Sequence, residues 1–199
     1  MPAVELQGNA DLRKALRRFA PDLEKTLRSE MKKALSPIAR QARGFVPATS
    51  PLSGWADRSF NEGSFPTYSA STIKSKIGFT TSVGKKNSKG FSSMASIFNN
   101  SRAGAIYESA GRVGVPQPWV GPKGPAGKRY SHSRNPQAGE QFINALPPLT
   151  GSLKGRGRLI FKAWSQNQGK AEGAVNKAIS TALTELKSRS NAGSFRRAA

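Results

Sequence analysis

The sequence predicts an α+β fold: a long kinked N-terminal helix and a C-terminal helix packed on a small antiparallel β-sheet, with long Gly/Pro-rich loops. Three observations carry this. Apolar residues recur at three-to-four spacing near both ends of the chain. The period drops to two between Ile73 and Val83. Gly and Pro together are 33 of 199 residues, concentrated between the patterned segments. The length suits one domain, placed at 1–190, with a basic C-terminal tail at 189–199.

The helical region 9–46 is marked by Leu12, Leu16, Phe19, Leu23, Leu27, Met31, Leu35, Ile38 and Ala42. Asn9 or Asp11 can cap it, and Pro21 suits the first turn of a new helix, with Asp22 and Glu24 at its positive end. Pro37 predicts a kink or local break, and Pro47 a stop. A β-rich core is expected over 72–112. In it Ile73, Ser75, Ile77, Phe79, Thr81 and Val83 form one strand, GKKNSKG (84–90) a hairpin-type connection, and FSSMASIF (91–98) the returning strand. SRAGAIYESAGR (101–112) reads as a short strand or a helix. Extended loops are expected over 113–157, interrupted by the apolar island Phe142, Ile143 and Leu146. A C-terminal helix follows over 158–188, though RLIFKAW would also suit a strand. The tail SRSNAGSFRRAA reads as disordered alone or ordered by a neighbour.

The charge is the strongest compositional signal. Lys and Arg number 32 against 11 Asp and Glu, a formal net charge of +21. Such a field draws polyanions: nucleic acid, acidic protein faces or anionic membrane. Basic residues cluster at Lys85, Lys86 and Lys89, at Lys123, Lys128, Arg129 and Arg134, and at Lys154, Arg156 and Arg158. All lie in loop-like sequence, as a solvated face or as residues facing a neighbouring subunit or DNA. There is no cysteine and one histidine, His132. Disulfides, thiolate metal sites and cysteine nucleophiles are thereby excluded. No apolar run approaches the roughly 20 residues of a membrane span, and MPAVELQGNADLRK lacks the apolar stretch of a signal peptide. The expectation is a cytoplasmic protein without disulfides and with no membrane partner.

Catalytic patterns are weak. GPKGPAGKR (121–129) departs from a phosphate loop, because Arg129 stands where Ser or Thr is needed. Asp57 and Glu62 would make a carboxylate pair only with a metal or acid/base partner; His132 reads as an exposed loop residue. Convergence of Asp57, Glu62 and Glu108 is the arrangement a nuclease or lytic enzyme would require. Glu108 is the only acid between Gly63 and Gly139. It reads as a solvated charge, a local partner of Arg102 or Arg112, or half of an inter-subunit salt bridge. Trp55, Tyr107, Trp119 and Trp164 read as core or interface anchors; stacking on single-stranded nucleic acid is the alternative for the tryptophans.

Three pieces in order resemble a known family. ALSPIARQARGFVP (34–47) closes the basic amphipathic helix and leads into PLSGWADRS (51–59). AGAIYESAGR (103–112) has an aromatic–Glu–x–x–Gly pattern. FINAL (142–146) precedes the closing helix. This order resembles the tail-completion, or head–tail joining, proteins of long-tailed bacteriophages, and PLSGW is similar to the version in phages of actinobacteria. The resemblance covers roughly 10–188. It implies a non-enzymatic virion protein without cofactors, made in the host cytoplasm. Copies would form a homo-oligomeric ring, six-fold or twelve-fold, in the virion neck. Its partners would be adjoining neck and tail-tube proteins, with DNA in the channel. Tail terminator and head-closure ring are the related alternatives. From charge alone, the competing reading is a sequence-independent nucleic-acid-binding protein.

Overall fold

In the computed structural model, residues 13–14, 16–18, 20–52, 54–57, 66–85, 88, 92–112, 138–151 and 155–197 are described. The elements are α1 (Pro21–Gly44), α2 (Ala70–Lys76), β1 (Ile77–Thr80), β2 (Ser96–Asn99), α3 (Arg102–Ser109), α4 (Ala138–Asn144) and α5 (Ile160–Arg197). The two strands pair as one antiparallel sheet. The fold is α+β, with a long helix near each end of the chain.

Contacts group the chain into two units. One comprises 39–78 and 98–166; the other comprises 2–38, 79–97 and 167–199. Each long helix contributes one part to each unit.

In the second unit, Leu23, Leu27, Met31, Leu35 and Ile38 of α1 are buried, the three-to-four spacing of one face. Pro21 begins α1, with Asp22 and Glu24 in its first turn. α1 runs unbroken through Pro37, where a local break was an expected alternative. Pro37 and Lys33 are both exposed, so water can satisfy the Lys33 carbonyl that loses its amide partner. Ala171, Val175, Ile179 and Ala182 give α5 a matching buried stripe. Residues 190–197, expected to be disordered alone or ordered by a neighbour, continue α5.

The expected strand over 73–83 divides. Ser69 caps α2 by accepting the Thr72 N–H, so residues 70–76 are helical. Only Ile77–Thr80 is extended. Alternation of Ile73, Ser75 and Ile77 fits both, because Ile73 and Ile77 are also one helical turn apart. The returning strand is confined to Ser96–Asn99. Residues 102–109 resolve to helix: Ser101 Oγ accepts the Gly104 N–H at 3.0 Å. The apolar island around Phe142 lies in α4, and RLIFKAW leads into α5 as helix.

Candidate functional site

α5 opens without a polar cap of its own. The residues ahead of it are Arg158 and Leu159, and neither offers an oxygen to the first amides of the helix. The acceptor comes from α3. Glu108 Oε2 accepts the N–H of Leu159 at 2.5 Å and of Ile160 at 3.2 Å; Oε1 accepts that of Phe161 at 2.9 Å. A carboxylate here also complements the positive end of the helix dipole.

Arg158 does the converse. Its Nη1 donates to the carbonyls of Tyr107 at 3.0 Å and Ala110 at 2.8 Å, in and just beyond the last turn of α3. Its Nε donates to the Pro147 carbonyl, and its guanidinium lies over the Tyr107 ring at 5.9 Å. Beside it, Arg112 donates to the Arg156 carbonyl and lies over the Phe161 ring at 4.8 Å. Burial pushes the Glu108 carboxyl up, with its amide donors pulling back, and holds Arg158 below the ordinary arginine range.

These positions correct two expectations. Arg158 is 5% exposed and is not part of a basic surface cluster, because its donors are taken by carbonyls at a helix end. Glu108 is 6% exposed and both its oxygens are occupied inside the fold. It is therefore not a solvated charge, and its oxygens are committed to the start of α5. Arg156 is half-buried, and Lys85 is exposed in the second unit. Lys86, Lys89, Lys123, Lys128, Arg129, Arg134, Lys154, Trp119, His132 and Glu62 lie outside the described residues. Asp57 is exposed. Among the described residues, no group of three or more His, Cys, Asp or Glu is placed to hold a metal ion, and no helix is long and apolar enough to cross a membrane.

Trp55 is buried, donates from Nε1 to the Pro66 carbonyl at 2.8 Å, and meets Tyr68 and Phe142 at ring distances of 5.1 and 5.3 Å. Tyr68 donates to the Pro47 carbonyl at 2.6 Å, and burial pushes its hydroxyl up to about 12. Tyr107 is buried, while Trp164 is half-buried.

One constellation escaped sequence reasoning. In the second unit Glu24 Oε1 has three guanidiniums around it: Arg13 at 2.8 Å, Arg28 at 2.9 Å and Arg17 at 3.4 Å. Arg13 is 1% exposed and also donates to the carbonyls of Thr81 and Met94. Placed off the apolar stripe by periodicity, it is instead among the most buried side chains. The available signals were Glu24–Arg28 at i,i+4 and Pro21, which separates the two helical segments carrying the arginines.

No family model matches the chain, no curated protein matches it, and no solved structure matches it.

Proposed function

We propose that this protein is a structural subunit of a bacteriophage virion, acting in the neck as a ring that completes the tail and joins it to the head. The supporting observation is that the separate sequence pieces resembling neck proteins meet in one framework in the first unit. Trp55 of PLSGW packs edge-on against Phe142 of FINAL, with ring centroids 5.3 Å apart. A Cβ on Gly111, from AGAIYESAGR, would lie 2.7 Å from Ile143 of FINAL. Pro47, closing ALSPIARQARGFVP, receives the Tyr68 hydroxyl. The carboxylate of the aromatic–Glu–x–x–Gly piece is committed to a helix end. The pieces thus form architecture, as a subunit whose work is assembly requires.

A ring subunit is held by head-to-tail contacts between copies. A subunit at +21 gains from acidic neighbours or from DNA beside it. The test is deletion of the gene from the genome that carries it, followed by imaging of the particles. Accumulation of separate heads and tails is expected. Normal numbers of tailed, infectious particles would end the reading.

Sequence-independent nucleic-acid binding is the second reading, favoured by the exposed cations Lys14, Arg17, Arg18, Lys25, Lys32 and Lys33. If about six phosphates were neutralised, log K against log salt would slope near −5. Absence of affinity at about 50 mM salt would remove this reading while leaving the first intact.

A further inference from the structure

We infer that Arg17 and Arg28 form an oxyanion site for a phosphate group, pre-oriented by Glu24. The inference rests on the geometry of the second unit and not on the virion reading.

Glu24 carries one negative charge and faces three guanidiniums. Arg13 accounts for that charge. It is buried, its Nη2 donates to Glu24, and its Nη1 is taken by backbone carbonyls. Among the described residues, Arg17 and Arg28 share Glu24 with Arg13 and have no second carboxylate, so the cluster carries two positive charges in excess. The Arg17 and Arg28 Nε atoms lie 3.4 and 2.9 Å from the same oxygen, so they are no more than 6.3 Å apart. Neither has another acceptor among the described residues. Arg28 Nε is buried, and although it lies 2.9 Å from Glu24 Oε1 it lacks the alignment of a hydrogen bond. The side chains are 56% and 42% exposed, so an external ligand can reach them.

Three guanidiniums around one carboxylate leave an excess of two positive charges, which a further anion beside them would offset. Each guanidinium offers a planar fork of N–H donors matched to paired oxygens. A phosphate has enough acceptor oxygens to engage two forks at once, whereas one carboxylate is filled by a single fork. Glu24 lies against the Nε edge of each arginine, and their Nη groups have no acceptor among the described residues, which leaves them for the ligand. Preorganisation of this kind lowers the side-chain entropy lost on binding. The phosphate could be inorganic or belong to a polynucleotide backbone, since both offer the same oxygens.

The experiment follows the arginine Nε–H resonances of the full chain while inorganic phosphate replaces chloride at constant ionic strength. Saturable shifts of the Arg17 and Arg28 signals are expected. Signals that stay still, or that respond equally to chloride, overturn the site. The double variant R17K/R28K keeps the charge but removes the forks. Phosphate binding, read in both proteins from the phosphorus resonance of the ligand, should be lost in this variant, and unchanged binding in it would also overturn the site. A random-sequence DNA duplex then separates the sources. A fall of about ten-fold in DNA affinity in R17K/R28K identifies a backbone phosphodiester as ligand. Unchanged DNA affinity with phosphate binding lost identifies a free phosphate.

Discussion

Glu108 and Arg158 exchange helix ends. Glu108 lies on α3 and satisfies the first amides of α5; Arg158 lies just before α5 and satisfies the carbonyls of Tyr107 and Ala110 at the end of α3. Each group would be costly to bury alone. Together they meet orphan donors and acceptors that both helices must satisfy within the protein interior. Gly157 makes the approach possible. A Cβ there would collide with the Glu108 carboxylate and lie 2.9 Å from the Phe161 ring.

Glu108→Ala removes the acceptor for three amides at a buried helix start. Unsatisfied buried donors cost about 1–3 kcal/mol each, partly relieved by water. A loss of about 3 kcal/mol is expected from urea unfolding of the full chain. Glu108→Gln keeps one carbonyl oxygen and should cost less than the alanine. Equal stability of Glu108→Ala and wild type would show that the cap contributes nothing.

Arg158 contributes through geometry as well as charge. Arg158→Lys retains a cation but cannot reach the carbonyls of Tyr107, Ala110 and Pro147 with one planar fork. Arg158→Met fills the volume and leaves those carbonyls and Glu108 without the guanidinium. Both variants should be destabilised, by about 2 kcal/mol for Lys and about 3–4 kcal/mol for Met. A lysine variant with the wild-type urea midpoint would mean that positive charge alone is sufficient.

The helices with strong periodicity were legible, because Leu23, Leu27, Met31 and Leu35 can share a buried face only in a helix. The strand over 73–83 was over-read, since spacing at Ile73 and Ile77 fits a helical turn too and the Ser69 cap decides it. Glu108 and Arg158 were misread for another reason. A buried charge and an exposed one look alike in sequence, and their partners here lie about fifty positions away. Arg13 was hidden similarly: its acceptors include Thr81 and Met94, which nothing local connects to it. Periodicity reports which face is buried, but it does not report which polar groups are buried with it.

Glu24 sets an acid dependence. Its ordinary value is 4.5. Burial pushes it up, but the hydrogen bond and charge of Arg13, the charge of Arg28 and the hydrogen bond of Arg17 outweigh burial and hold it lower. The unfolded chain therefore binds more protons here in the window just below the ordinary value. This contribution to stability is fully present above that value and is lost as pH falls through the folded-state one. Glu108, pushed up by burial, has the opposite sign: its contribution declines as pH rises from 4.5 through its raised value. Glu24→Gln strands Arg13 and should cost about 3 kcal/mol near neutrality. The gap from wild type should close as pH is lowered from about 6 to about 3. A gap independent of pH would place the effect in packing rather than in the ion pair.

The contact between Trp55 and Phe142 couples segments nearly ninety positions apart, and a double-mutant cycle can isolate it. Trp55→Ala loses a buried indole and its hydrogen bond to the Pro66 carbonyl, a cost of about 3–5 kcal/mol. Phe142 is half-buried, so Phe142→Ala should cost less, about 1–2 kcal/mol. Once Trp55 is gone, Phe142 has lost its edge-on partner and its removal should cost less still. The coupling expected from urea unfolding is about 0.5–1.5 kcal/mol, the range of an edge-to-face aromatic pair beyond its buried area. A coupling of zero would mean that the two rings are neighbours without interaction. The order of motifs would then support the neck reading without help from their packing.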